Sequence, residues 1–118
     1  MLIAVGILQL TKNNNNDDQA VKQAKLTRSA TITITNDGMQ PDSLLISSGT
    51  QVTWTNTDSS AHQIAADPYP KNDSIPGFNS NNLLLSKDSY SFTFVQPGTY
   101  HYHDQLNPLT LMGTVVVR

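Results

Sequence analysis

Few side chains in this 118-residue chain could do chemistry. Three histidines (His62, His101 and His103) and nine aspartates supply all the imidazole and carboxylate, because the chain has no glutamate and no cysteine. Imidazole nitrogen and carboxylate oxygen are both ligands for Cu(II) and Zn(II). The lack of cysteine removes disulfides, thiolate nucleophiles and thiolate metal sites together. The densest cluster is His101-Tyr102-His103-Asp104. Strand alternation sets His101 and His103 on one side and Tyr100, Tyr102 and Asp104 on the other. At the strand end, where alternation can fail, His103 and Asp104 are expected to reach a common ion. Catalysis is not indicated. No Ser or Lys nucleophile stands in a frame with His62 and Asp104, and the chain has no phosphate loop and no pair of catalytic carboxylates.

These residues must be positioned by strands. Thr, Ser and Asn together make up 35 of the 118 residues, while charged residues are only 14%. Thr suits strands, and Ser and Asn suit turns. From Ala30 on, apolar residues recur with period two, which marks half-buried strands. Ile32 and Ile34 alternate with Thr31, Thr33 and Thr35, then Asn36-Asp37-Gly38 signals a turn. Leu44 to Ile46, Val52 with Trp54, and His62 to Ala66 follow. Tyr90, Phe92 and Phe94 alternate with Ser and Thr up to Pro97-Gly98, and Tyr100 with Tyr102 and Thr114 to Val117 complete the set. Seven to eight short strands predict an all-β sandwich or barrel. Trp54, Tyr90, Phe92, Phe94, Tyr100 and Tyr102 are its expected aromatic core.

The chain divides in two. Residues 1–28 hold an apolar run, Leu2 to Leu10, and an Asn-rich stretch, Thr11 to Gln23, and carry a net charge of +2. The run is too short to span a bilayer, which takes about 20 apolar residues. An apolar start, a polar linker and then a β domain is the layout of an exported or tethered protein, so an extracytoplasmic location is expected, with an N-terminal anchor as the one membrane contact. Residues 29–118 form the domain and carry a net charge of −4, with seven Asp against Lys71, Lys87 and Arg118. The chain as a whole is at −2, and it has no basic–aromatic patch, so nucleic acid is not an expected partner.

Three segments carry a family resemblance: QVTWTNTDSSAHQI, PGFNSNNLLLSKDSYSFTFVQPGTYHYH and MGTVVV. They resemble a small cupredoxin, the plastocyanin-like copper fold, over about residues 30–118. The resemblance implies a Greek-key β-sandwich with a metal site at one end. In that family the first segment ends in a His ligand. The strand after Pro-Gly leads to a Cys ligand, a second His follows three residues on, and an axial Met comes after it. Here His62 matches the first ligand and Met112 the axial one, while Asp104 stands at the Cys position and Asn107 at that of the second His. The stretch YHDQLNP is also similar to a cysteine-free branch that carries YHDHLNP and extra His in the loop matching ADPYPKNDS. At those positions this chain has Gln105, Tyr69 and Asn72.

Without a thiolate, the blue copper electron-transfer site of the family is not expected. The resemblance implies instead a hard, non-blue site for Cu(II) or Zn(II), with His62 and Asp104 as ligands, His103 as the third and Met112 nearby. Its role would be metal capture or delivery. Each residue also has a plainer reading. Asp104 caps its loop by accepting backbone N–H bonds or forms an ion pair with His62, Met112 packs, and Asn107-Pro108 makes a turn. On those readings the domain is a metal-free structural or interaction module that binds a protein partner through its loop end.

Overall fold

The computed structural model describes residues 2–3, 7–8 and 26–118, with side chains from residue 28 on. The Asn-rich stretch 11–23 and most of the apolar run before it lie outside the described residues. In chain order the strands are β1 (Leu2–Ile3), β2 (Ile7–Leu8), β3 (Leu26–Thr27), β4 (Ser29–Thr35), β5 (Gly38–Gln40), β6 (Ser43–Ile46), β7 (Thr50–Asn56), β8 (Ile64–Ala66), β9 (Ser89–Phe94), β10 (Gly98–Asp104) and β11 (Met112–Val117). The eight strands β4 to β11 build two sheets, in agreement with the all-β expectation. One runs β5-β4-β7-β9, and the other β1-β6-β11-β10-β8 with β1 at its edge. The two-residue pieces β2 and β3 pair with each other.

The period-two pattern becomes the two sides of each sheet. In β4, Ala30, Ile32 and Ile34 are buried and the alternating Ser and Thr face out; in β7, Val52 and Trp54 do the same against Gln51, Thr53 and Thr55. Asn36-Asp37 turns β4 into β5, with Gly38 taking the positive φ (+135°) that a side chain disfavours. The sequence pattern did not mark β5 as a strand. It also placed a strand at His62 to Ala66, whereas β8 starts at Ile64 and His62 makes a lone bridge to Leu84.

Trp54 is fully buried at the centre of the aromatic core. Its ring lies 5.3 Å from both Phe78 and Tyr102 and 6.3 Å from Phe94. Phe94 and Tyr102 are buried as expected, whereas Tyr90, Phe92 and Tyr100 are half-buried and pack against the cluster. Phe78, buried from the connection between β8 and β9, was not anticipated. Burying side chains of this size contributes about 1.5–3 kcal/mol each. Tyr102 also explains a glycine: its hydroxyl passes over Gly113 on β11, where a Cβ would stand 2.3 Å from it.

Candidate functional site

Strand β10 delivers the candidate site. It pairs with β11 on one side and β8 on the other, and its alternation holds to the end: Tyr102 and Asp104 point inward, His101 and His103 outward. His62 comes from the segment before β8, tied to Leu84 by backbone bonds in both directions. Asn56, at the end of β7, shapes that segment. Its side-chain amide donates to the carbonyls of Ser60 and Leu84, and its oxygen accepts the Asp58 N–H.

On the inner side, His62 and Asp104 meet. The His62 ring is 2% exposed and Asp104 is fully buried. His62 Nδ1 donates to Asp104 Oδ2 at 2.6 Å, and His62 Nε2 donates to Asp58 Oδ2 at 2.9 Å. Asp104 is saturated besides: Oδ1 accepts the N–H groups of Gln63 and Leu106, and Oδ2 accepts the Asn107 amide. The loop-capping and ion-pair arrangements are therefore both present, and Asn107 closes the turn, its N–H bonded to the Asp104 carbonyl.

A carboxylate on each nitrogen favours the imidazolium form of the ring, in which both nitrogens donate. Burial opposes that charge, but the bonds to Asp104 and Asp58 outweigh it and hold the His62 pKa above its ordinary 6.5. Burial likewise opposes the Asp104 carboxylate, yet its hydrogen bonds from Asn107, Gln63, His62 and Leu106 keep its pKa below the ordinary 3.8. The bond to His62 lowers that of Asp58.

On the outer side His103 has its own partners. Its Nδ1 lies 2.6 Å from Asp67 Oδ1 and its Nε2 2.9 Å from Gln105 Oε1, with the Tyr69 ring edge-on at 5.7 Å. Although it faces away from the core, His103 is only 2% exposed, because the segment after β8 covers it. Met112 stands opposite His103 in the β10–β11 ladder, hence on the same outer face. It is 51% exposed and lines a surface groove with His101, Asp42 and Asp67. His101 bonds Thr114. The structure thus brings together His62 and Asp104, and leaves His103 and Met112 on the opposite side of the sheet.

This donor set does not fit the copper of the family. There is no thiolate, and the two carboxylates bind opposite edges of the His62 ring, so one ion could take only one of them together with a ring nitrogen. Ligand bonds of about 2.0–2.2 Å set two donors of one ion about 3 Å or more apart, wider than the closed 2.6 Å contact. Among the described residues no three His or Asp side chains are placed to hold a metal ion. The sequence did not reveal Asp58, Asp67 or Gln105 as partners. Asp58 and Asp67 lie in turns where Asp is common, and the likeness to the branch that carries YHDHLNP marked Gln105 and Tyr69 only as replacements for His, not as neighbours of His103.

The fold and the residues at this end define a sandwich of the copper-protein type with an altered ligand end, and the comparisons agree. The sequence profile of the cupredoxin-like domain family matches residues 1–117, and the chain belongs to that family. A purple cupredoxin from Nitrosopumilus maritimus is 32% identical and superposes with a TM-score of 0.65 over 75% of this chain and 99% of that one. An oxidized amicyanin mutant is 26% identical, with a TM-score of 0.66 over 75% of this chain and 81% of the other. A Cu-containing nitrite reductase from Thermus scotoductus, 20% identical, shares the fold at a TM-score of 0.70 over 99% of this chain and 28% of its own. No curated protein matches. No helix of the described residues is long and apolar enough to cross a membrane.

Proposed function

We propose that this chain is an extracytoplasmic cupredoxin-like domain that works as a metal-free structural and interaction module. On this reading the Asp58–His62–Asp104 cluster fills the end where the family places its metal. The observation that carries it is the double engagement of His62, with a carboxylate oxygen at 2.6 Å from one ring nitrogen and another at 2.9 Å from the other. A proton on each nitrogen does the bridging that an ion would otherwise do, and the satisfied hydrogen bonds of Asp104 lock the loop between β10 and β11. The exposed Leu106 and Leu109 on that loop give a protein partner apolar surface to bind. On this reading the domain acts by binding rather than by catalysis.

A second reading, capture of Cu(II) or Zn(II), draws support from the adjacency of His62 and Asp104. It requires an ion to displace the proton between them and to recruit a third ligand. Calorimetric titration of Cu(II) into the metal-stripped chain, beside His62→Ala, separates the two. The proposal expects weak, non-saturating heat that is alike in both proteins. Saturation at one ion per chain, lost in His62→Ala, would overturn it and establish metal capture.

A further inference from the structure

The edges of the two sheets differ in how they are protected. An unpaired strand edge presents free N–H and C=O groups, and natural sheets guard it with short length, charge, proline or a covering segment. β8 has three residues and is covered, with Ala66 N–H donating to Phe78 O and Ser80 N–H to Ile64 O. β5 also has three residues, is followed at once by Pro41 and stands between Asp37 and Asp42. β9 is different. Its six residues, Ser-Tyr-Ser-Phe-Thr-Phe, pair among the described residues with β7 alone and include no charge and no proline, Lys87 and Asp88 lying just before the strand.

The hydrogen-bond parity of β9 can be read from its ends. Asn56 N–H donates to Asp88 O and Gly49 N–H to Phe94 O, so the even-numbered residues face β7. The backbone groups of Ser89, Ser91 and Thr93 therefore point to the open edge. The strand also leaves apolar surface there. Tyr90 and Phe92 are only half-buried, Val95 is 60% exposed, and a cavity of about 370 Å³ lined by Ile75, Phe92, Phe94, Val95 and Tyr100 adjoins it.

We infer that β9 is the surface through which two copies of this chain associate, antiparallel about a two-fold axis, with Ser91 opposite the partner's Ser91. An odd residue on the axis forms a hydrogen-bonded pair and an even one a non-hydrogen-bonded pair, and of these registers the one centred on Ser91 pairs all three outward residues, Ser89, Ser91 and Thr93. Centring on Ser91 uses the whole strand. Ser89 then faces the partner's Thr93, and about six main-chain hydrogen bonds form. The outer face would extend a pattern already present, the hydroxyl pairs Thr53–Ser91 at 2.7 Å and Thr55–Ser89 at 2.9 Å. On the inner face Tyr90 meets the partner's Phe92, an aromatic cross-strand pair. Charge favours a second copy here: in a chain of net charge −2 this edge is neutral, and Asp88 faces the partner's Phe94 rather than another carboxylate. The interface is small, so association depends on concentration.

Sedimentation equilibrium of the full chain between about 10 µM and about 1 mM tests this. The wild type is expected to pass from monomer to dimer across that range. Ser91→Pro removes an outward N–H without touching the β7 ladder, and is expected to stay monomeric with an unchanged far-UV spectrum. Ser91→Lys sets two cations against each other at the axis and should weaken the dimer by about tenfold or more, with recovery at high salt. Should Ser91→Pro fail to fold, Ser91→Lys decides. A wild type that is monomeric throughout would overturn the inference and leave the edge to an extended strand of another protein. A dimer that survives both substitutions would overturn it as well.

Discussion

His62 and His103 lie on opposite faces of one sheet end, and each has Nδ1 at 2.6 Å from an aspartate oxygen. Both rings are 2% exposed. Their partners differ. Asp104, beside His62, is fully buried and also accepts two backbone N–H groups and an amide, whereas the Asp67 side chain beside His103 is 41% exposed. The second nitrogen of His62 meets another carboxylate, that of His103 a neutral amide. Burial of the ring is thus common to both, and the surroundings of the acceptor separate a cluster that organises a loop from a contact that water can replace.

The largest expected effect tests that distinction directly. Asp104→Ala leaves the His62 charge without its main partner and orphans three further donors. Removing one member of a buried pair costs about 3–5 kcal/mol. Asp67→Ala, with its acceptor half in solvent, should cost about 1 kcal/mol or less. Chemical denaturation of the two variants checks the ratio, and equal losses would mean that the exposure of the acceptor does not set the energy.

Neighbouring residues on β11 sharpen the same contrast between faces at a smaller scale. Gly113→Ala drives a Cβ to 2.3 Å from the Tyr102 hydroxyl, and Tyr102 is wedged against Trp54 and Phe78. Overpacking of this kind costs about 1–3 kcal/mol, and for a domain of this size each kcal/mol lowers Tm by about 4–8 °C. Met112→Ala on the outer face, where the side chain is half exposed, should change stability by about 0.5 kcal/mol or less. A larger loss for Met112→Ala would reveal a packing role that its exposure denies.

Much of this was legible in the sequence. The alternation of Ile32, Ile34, Val52, Trp54 and Phe94 with Thr and Ser gave the sheets, and the same rule put Tyr102 and Asp104 inward and His101 and His103 outward. The pairing of His62 with Asp104 followed from the family resemblance. What could not be read was what lies across from a side chain. Alternation assigns a face but not a cover, so the burial of His103 beneath the segment after β8 has no local signature. Asp104 is 42 residues from His62, and Asp67 is 36 from His103. Such contacts come from topology, and Asp58, a turn residue by every local rule, became the second partner of His62 only once Asn56 had folded its loop.

The smallest expected effect is the pH dependence, and its sign follows from the cluster. The His62 pKa is raised in the folded state, so its contribution to stability is complete below the ordinary value of 6.5 and is lost as pH rises through the higher folded value. The pKa values of Asp104 and Asp58 are lowered, so their contribution is complete above 3.8 and is lost as pH falls through the lower folded values. Stability should therefore be greatest between these limits, with a decline upward from 6.5 that belongs to His62 and a separate one above 10 from the Tyr90 and Tyr102 phenols, whose pKa values burial raises. Thermal melts across the pH range, run beside His62→Gln, isolate it: the variant has a lower Tm and lacks the decline between pH 6.5 and 10. A decline of equal size in that window in His62→Gln would assign it to another group, and the charge of the His62 ring would then not be what holds this end of the sandwich together.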